Sequence, residues 1–440
     1  MTTIPAFQTK SPVVRNYYSL AGVDFTTDMS MVQKNRSPNC ENMYKDYKSS
    51  LGQAIETRPG FSNVLNMSSE IYGIHFLQLD ILKVVIHSGS NLYLWSDYPN
   101  SQEESNMTLL YSFMAQKESR SFCYNDKLYL NDGLKYLYYD GTNVATAESE
   151  AFIPTTSISR SPSGGGTLYQ DVNLLQPKRK NQFCADGTSK DYVLDTAGLD
   201  AQSIYTMKAI VNNVEMTEGS GFSVNRTTGV VTFTTAPSAP ATTGQDNVYI
   251  TFSKTIVDYA TRINKCDLTC IYDNRVFFSG SPDYPNGLFN SELNTPSYVS
   301  DQSYYQDGSD NVDITSILRI GDSLVVIKKD DQQDAVVYYH TATEKDNKTI
   351  YPTKQGLSGI GCLSKSGSIN FFDEPVFVSK RGLECFTKLN LGLERSIEHK
   401  STMVDGKFVN ESNLENVYLE QWNGYLMCLL NGHIYLADNR

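Results

Sequence analysis

The chain has 440 residues, with 37 Lys and Arg against 49 Asp and Glu, which gives a formal net charge of −12. A protein whose whole surface holds a phosphate backbone should be basic, so this balance excludes that class and leaves room only for a local basic patch. With 40% hydrophobic residues the chain can form a packed core, which excludes wholesale disorder.

The composition also predicts the fold class. The chain has 29 Tyr and 19 Phe but only 2 Trp, and aromatic-rich, polar sequences of this kind are typical of all-β proteins with many short strands. No segment approaches the roughly 20 apolar residues that a membrane helix needs, so we expect no membrane insertion. The first residues contain no apolar signal core, so we expect synthesis in a cytoplasm, where the eight cysteines serve as small core residues.

The first turn motif in the chain is Arg58-Pro59-Gly60, followed by Phe61. Pro at the second position and Gly at the third position of a turn favour type II geometry, which requires a positive φ at the glycine. We therefore predict a structural turn with positive φ at Gly60.

Groups of short strands then follow one another, separated by turns rich in Asn, Asp and Gly. In chain order they are predicted at 71–97, 121–141, 267–279, 314–340, 367–386 and 416–437, with a continuous strand over 121–130 in the second group. Antiparallel units that repeat at roughly 40–50 residues predict the blades of a β-propeller, and an array of β-sandwiches is the alternative.

The pattern changes between these groups. Gly164, Gly165 and Gly166 predict a flexible connector. The short strands that follow, with turn signals every 8–12 residues, predict a small β-sandwich inserted into the propeller. We therefore predict a first propeller part at 1–165, an inserted sandwich at 166–255 and a second propeller part at 256–440.

Lys178, Arg179 and Lys180 form the densest basic run, at the entry to the predicted insertion. One interpretation is a solvated charge on an edge strand, where it discourages edge-to-edge pairing. The other is an interaction patch that contacts nucleic acid or an acidic neighbouring subunit. At the far end of the chain we predict a strand at 432–437 in the last blade. We expect a strand from about 16–47 to complete that blade.

No residue pattern predicts a catalytic or metal site. The five histidines (His75, His87, His340, His399 and His433) show no metal-ligand spacing. The acidic run 307–313 lacks the glycine and the final glutamate of a calcium loop, which favours a solvated turn. Phosphate-binding and nucleophile-elbow motifs are absent. We therefore predict no metal, no cofactor and no enzymatic activity.

Several segments nevertheless resemble a known family. Asn42-Met43-Tyr44 followed by Arg58-Pro59-Gly60-Phe61 resembles the opening of bacteriophage head-to-tail stabilisation proteins, including the packaged-DNA stabilisation and tail tubular (nozzle) proteins of short-tailed phages. Segments at 154–175, 413–416 and 431–438 also resemble this family. Those at 185–188, 211–214 and 228–233 resemble a small β-sandwich that is common in phage virion proteins.

The resemblance implies a β-propeller subunit of the virion neck or tail that forms a ring, expected to be a hexamer, around the DNA channel. Its implied partners are further copies of the chain, the portal or adaptor, other tail proteins, and packaged DNA that passes without sequence recognition. The alternatives are a receptor-binding tail protein whose propeller binds host glycan, and a carbohydrate-active propeller enzyme.

Overall fold

The computed structural model describes residues 13–14, 20–46, 54–100, 102–330, 335–346, 348–388 and 395–438. The chain forms two compact units, which we describe separately. The first unit comprises Met1–Ser62 and Ser366–Arg440, and the second comprises Asn63–Lys365. Strands far outnumber helices among the described residues, which confirms the predicted all-β class.

Strands are numbered in chain order. A two-stranded antiparallel sheet in the first unit comes first, formed by β1 (Met43–Asp46) and β2 (Ala54–Thr57). The second unit then opens with two four-stranded antiparallel sheets, in which chain neighbours are also sheet neighbours. The first contains β3 (Ile71–Gln78), β4 (Leu82–Ser88), β5 (Asn91–Leu94) and β6 (Thr108–Ser112), and the second contains β7 (Arg120–Tyr124), β8 (Lys127–Asn131), β9 (Tyr136–Tyr139) and β10 (Val144–Thr146).

The continuous strand that we predict over 121–130 is wrong. The chain reverses between β7 and β8 at Asn125 and Asp126, whose φ values are +48° and +58°. Asn and Asp tolerate left-handed backbone better than other residues with a Cβ, so this pair can form a two-residue turn without glycine. The two halves of the predicted strand therefore pair with each other as a hairpin.

Two sheets that share one core occupy the middle of the second unit. Their strands are β11 (Thr155–Arg160), β12 (Thr167–Leu168), β13 (Lys178–Phe183), β14 (Asp191–Val193), β15 (Lys208–Val211), β16 (Val214–Thr217), β17 (Phe222–Asn225), β18 (Val230–Phe233) and β19 (Val248–Ser253). One sheet has the order β12-β11-β13-β19-β15-β16, and the other has the order β14-β18-β17. We call residues 155–253 the two-sheet module.

The hydrophobic core of the two-sheet module draws on both sheets. Phe183 and Ile250 come from the six-stranded sheet, and Tyr192, Phe222 and Phe233 come from the three-stranded sheet. The module begins at β11, before the boundary at residue 166 that we predict. β11 belongs to it because it pairs in parallel with β13.

A short helix, α1 (Tyr259–Asn264), leads to two further four-stranded antiparallel sheets. The third sheet contains β20 (Leu268–Tyr272), β21 (Arg275–Ser279), β22 (Gly287–Asn290) and β23 (Tyr304–Gln306). The fourth contains β24 (Ile314–Ile320), β25 (Ser323–Lys328), β26 (Val337–His340) and, after the separate hairpin of β27 (Thr343–Lys345) and β28 (Lys348–Ile350), β29 (Thr353–Gln355).

The four-stranded sheets of the second unit pack in sequence on one another. The first strand of each sheet lies beside the first strand of the next, so that β3 contacts β7, β7 contacts β20, and β20 contacts β24. One core joins the first and second sheets through Leu92 and Leu130. The next joins the second and third through Tyr136 and Phe278, and a further core joins the third and fourth. On the first sheet, Trp95 is buried against Val84 and Ile86.

The first unit continues with one four-stranded and one three-stranded antiparallel sheet, separated by a short helix. The former contains β30 (Ser368–Phe371), β31 (Glu374–Ser379), β32 (Gly382–Lys388) and β33 (Arg395–His399), and α2 (Asp405–Phe408) follows. The latter contains β34 (Tyr418–Trp422), β35 (Tyr425–Leu430) and β36 (His433–Asp438). Single 3-10 turns lie at Glu104–Asn106, Ala147–Glu150 and Leu414–Asn416. Within the described ranges, neither α1 nor α2 reaches the length and apolarity that a bilayer crossing requires.

Candidate functional site

The two N-terminal motifs that carry the family resemblance meet at the open end of the β1–β2 hairpin. Arg58 N donates to Asn42 O at 2.9 Å, and Arg58 Nε donates to Asn42 Oδ1 at 2.7 Å. The Arg58 guanidinium also lies 4.6 Å from the ring centre of Phe61. Asn42 has a φ of +59°, so the left-handed residue here is the asparagine that receives both hydrogen bonds.

The type II turn that we predict at Pro59 and Gly60 is wrong. Gly60 has no positive φ, and no heavy atom lies within 4 Å of the position that a Cβ would occupy. The positive φ that Pro-Gly favours in a type II turn is therefore absent at Gly60, and the left-handed residue at this end of the hairpin is Asn42.

The hairpin contacts the last sheet of the chain through aromatic side chains. The Tyr44 ring packs edge-on against the rings of Trp422 and Tyr425, each at a centroid distance of 6.3 Å, and Tyr425 Oη donates to Lys45 O. The predicted C-terminal strand is confirmed, since β36 pairs along its length with β35. The predicted closing strand at 16–47 lies partly outside the described residues. Its described part contacts the sheet β34–β36 through Tyr44 and Lys45, but no described N-terminal strand joins that sheet.

An earlier N-terminal segment docks onto the loop before α2. Phe25 N donates to Met403 O at 2.8 Å, and Thr26 Oγ1 donates to Thr402 O at 2.7 Å. Gly406 N in turn donates to Thr26 Oγ1 at 3.1 Å. A Cβ on Gly406 would lie only 2.2 Å from Phe25 O, so the absence of a side chain permits this close approach.

Gly164, Gly165 and Gly166 form a tight turn between β11 and β12, with φ values of +112°, +76° and +90°. Arg160 Nη1 donates to Gly165 O at 2.5 Å, and a Cβ on Gly166 would lie 2.7 Å from Ile158 O. The structure thus places the three glycines inside the six-stranded sheet, where they close a hairpin, and not between domains as the predicted connector would require.

Lys178, Arg179 and Lys180 lie on β13, an interior strand between β11 and β19. The predicted edge-strand role is therefore wrong. Alternation along the strand turns Arg179 inward, where it is 6% exposed and donates to Lys254 O, while Lys178 and Lys180 point to the opposite face and remain half-buried. Lys178 and Lys180 therefore share one surface of the sheet, and Arg179 lies on the opposite side.

A buried polar cluster that the sequence pattern did not indicate lies between the first two sheets of the second unit. His75 Nδ1 lies 2.8 Å from Ser121 Oγ, and both His75 Nε2 and His87 Nδ1 lie 2.9 Å from Ser119 Oγ. Burial, followed by the nearby charge of His87, lowers the pKa of His75 to about 4. The ring is therefore neutral near pH 7, when it holds β3 to the segment that enters β7.

A second missed cluster lies in the first unit, around His399. Its Nδ1 lies 3.1 Å from Glu384 Oε1 and its Nε2 lies 2.6 Å from Asp405 Oδ2. Burial lowers the pKa of His399, but the hydrogen bonds and charges of Asp405 and Glu384 outweigh it and raise the pKa overall. Ser401 Oγ donates to Asp405 Oδ1 at 2.6 Å and so orients the Asp405 carboxylate towards His399. The cluster ties β32, β33 and α2 together.

The acidic run at 307–313 departs from the solvated turn that we predict. Asp307 is fully buried, with Oδ2 2.9 Å from His340 Nε2, and its Oδ1 accepts from Thr353 Oγ1 at 3.0 Å. Its carboxylate is therefore used internally. No three His, Cys, Asp or Glu side chains within the described part of the chain are grouped so that they could hold a metal ion.

All eight cysteines lie in the described ranges and are free thiols. Four of them are buried, as expected of core residues: Cys266, Cys362, Cys385 and Cys428. Cys123 is exposed, so the expectation of core packing does not hold for it.

No family model matches the sequence, and no curated protein matches it. Among solved structures, the extracellular domain of the one-component system BT4673 from B. thetaiotaomicron is similar over 85% of this chain and 39% of its own, with 10% identity and a TM-score of 0.29. Oligopeptidase B from Leishmania major is similar over 83% of this chain and 53% of its own, with 9% identity and a TM-score of 0.19. The chain spans about half or less of these proteins, and TM-scores this low assign neither fold nor function.

Proposed function

We propose that this chain is a structural subunit of a bacteriophage neck or tail, which forms a ring around the DNA channel, retains packaged DNA and conducts it during ejection. One observation carries the proposal. The segments Asn42-Met43-Tyr44 and Arg58-Pro59-Gly60-Phe61, which resemble the opening of that family, are hydrogen-bonded to each other through Asn42 and Arg58. Two resembling motifs that are joined in this way act as one structural feature, which makes their joint occurrence more informative than either alone.

The proposal includes a finer fold, in which the four-stranded sheets are blades of a β-propeller and the two-sheet module is an inserted β-sandwich. The packing of first strand beside first strand, from β3 through β24, supports the propeller, because successive blades surround an axis with their first strands innermost. The separate core of the two-sheet module supports the insertion.

The net charge of −12 also supports this role. A lumen that is neutral or negative lets a polyanion slide through, whereas a basic lining would bind its phosphates. The proposed partners are further copies of the chain, the portal or adaptor, and neighbouring tail proteins.

The test is to place this chain in the virion. A short epitope inserted between Thr243 and Gly244 falls in an exposed loop of the two-sheet module, where an added Cβ at Gly244 meets no atom within 4 Å. Gold-labelled antibody should then mark the neck or upper tail of assembled particles, and the purified chain should form rings with an axial channel in electron micrographs.

Label at the distal tip, with trimers in place of rings, would overturn the proposal in favour of a receptor-binding tail protein. Particles assembled without the chain supply a functional control. They should package DNA and then lose it, and particles that retain DNA normally in its absence would contradict the retention role.

A further inference from the structure

We infer that the outer face of the six-stranded sheet in the two-sheet module binds an acidic surface of a second copy of this chain. The inference rests on the proposed function in one respect, since a ring is where copies of the chain would meet. It concerns a surface that neither the family resemblance nor the comparisons describe.

The strand register assembles this face from three strands. Lys180 on β13 and Lys208 on β15 are both opposite Thr251 on β19, so the three residues form one row across the sheet. In the next row, Tyr249 lies between Gln182 and Ile210. Residues in register on adjacent strands point to the same side of a sheet.

This side is the one that faces away from the module's core. Ala209, Phe183 and Ile250 alternate with the residues of these rows and are buried in the core. Arg179 also lies on the core side. We call the surface formed by Lys178, Lys180, Lys208, Tyr249 and Thr251 the lysine face.

The cations of the lysine face are only partly neutralised. Lys208 Nζ lies 2.7 Å from Glu215 Oε1, but both side chains are more than half exposed, and such an ion pair stabilises little. Lys178 Nζ lies 5.5 Å from the centre of the Tyr205 ring. Among the described residues, neither Lys178 Nζ nor Lys180 Nζ has a carboxylate within ion-pair distance, so Lys208 is the one cation of the three that forms an ion pair.

The distribution of charge along the chain indicates the partner. Residues 155–255 contain eight Lys and Arg against eight Asp and Glu, so the whole net charge of −12 resides outside them. Each copy therefore carries a basic face on a neutral module together with a strongly acidic remainder. Contact between these two different surfaces is heterologous, and heterologous contacts produce rings when the rotation closes.

DNA is the less favoured partner for the same face. A DNA duplex is held chiefly by contacts between its phosphates and lysine or arginine side chains, so affinity rises with the number of cations on the face. The lysine face offers three cations, one of which already pairs with Glu215.

The test compares self-association of the full chain with that of charge-reversed variants, by sedimentation velocity and native mass spectrometry. K208E alters an exposed side chain, and K178E/K180E alters the other two cations. Both should raise the concentration needed for assembly by about tenfold or more, because like charges then face each other. K190E is the matched control for K208E, since it makes the same single charge reversal outside the face, and it should assemble as the wild-type chain does.

Raised salt should weaken assembly of the wild-type chain more than that of K178E/K180E. Circular dichroism melts confirm folding, and K180Q, which removes charge without reversing it, replaces the double variant if that one unfolds. Variants that assemble as readily as the wild-type chain, or a wild-type chain that does not self-associate, would overturn the inference.

Binding of a fluorescent 30-bp DNA duplex to the same variants tests whether the lysine face binds nucleic acid. If K178E/K180E loses DNA binding but keeps self-association, the face binds nucleic acid and the inference is wrong. The two proposals fail separately. If rings persist in every variant, the proposed role of the lysine face is wrong but the neck assignment stands. If assembly depends on the lysines but the label lies at the distal tip, the neck assignment is wrong but the role of the lysine face stands.

Discussion

At the scale of single residues, Gly60 and Gly166 differ in what a side chain would meet. Gly60 lies outside the left-handed region and has open space, so G60A should leave the free energy of unfolding unchanged or raise it by up to about 1 kcal/mol, because alanine restricts the unfolded chain. At Gly166, φ is +90° and a Cβ would lie 2.7 Å from Ile158 O. G166A should therefore lower stability by about 1–3 kcal/mol. Urea unfolding measures both, and a loss in G60A equal to that in G166A would contradict the backbone described here.

His75 should make the second unit sensitive to acid. Its pKa is lowered to about 4 in the folded chain, first by burial and then by His87, against about 6.5 in the unfolded chain. Between these two pKa values His75 is protonated in the unfolded state but not in the folded state. Stability should therefore fall as pH falls from 6.5 towards 4. Thermal melts should show a smaller loss between pH 7 and pH 5 in H75Q than in the wild-type chain. H433Q, which alters an exposed side chain, should behave as the wild type does.

His399 should act with the opposite sign in the first unit. Burial lowers its pKa, but Asp405 and Glu384 outweigh burial and raise the pKa above the ordinary value. Its contribution to stability is then fully present below about pH 6.5 and is lost as pH rises through the raised pKa. D405N should shift the NMR titration midpoint of His399 downwards. A midpoint that does not move would show that the carboxylate does not hold the charged ring.

At the scale of elements, the N-terminal segment depends on a glycine far away in sequence. Gly406 does not have a positive φ, so an alanine is excluded there by the backbone of Phe25 and Thr26, whose nearest atom, Phe25 O, would lie 2.2 Å from its Cβ. G406A should release the segment around Phe25 and Thr26 and increase amide hydrogen exchange there while β34–β36 stay protected. G60A supplies the control, because it adds the same methyl group in open space. Unchanged exchange at residues 24–27 would contradict the docking.

The same elements show what sequence patterns can and cannot predict. The turn at Asp273 and Asn274 was predictable, because both residues tolerate the positive φ that such a turn requires. Asn125 and Asp126 use the same chemistry, but the apolar residues on either side of them suggested one strand. The parallel pairing of β11 with β13 is a non-local contact that local periodicity does not encode.

The basic run at 178–180 could be recognised in the sequence. The sequence did not show that Lys180 and Lys208 lie in one row across the six-stranded sheet. That row depends on strand register across β19. The His75 cluster was hidden for a related reason, because its partner Ser119 lies 44 residues away in the chain. Residue chemistry can be predicted from sequence, whereas proximity depends on the fold.

At the scale of the whole molecule, the predicted insertion at 166–255 contributes to two different cores. Phe233 is buried in the core of the two-sheet module, whereas Leu174 is buried with Val299 and Ile263 in the core between the second and third sheets. F233A should cost about 3–5 kcal/mol and L174A about 2–5 kcal/mol. Hydrogen exchange should rise first in β13–β19 for F233A and first in β20–β23 for L174A. The same pattern in both variants would contradict the separation of the two cores.

The two tryptophans have a practical consequence. Trp95 belongs to the second unit and is 5% exposed, while Trp422 belongs to the first unit and is 41% exposed. A buried indole emits at shorter wavelength than a hydrated one, so the intrinsic fluorescence of this chain contains one reporter for each unit. With W422F only the Trp95 emission remains, and with W95F only the emission of Trp422. Denaturation followed at both wavelengths would therefore record the unfolding of each unit without any attached dye.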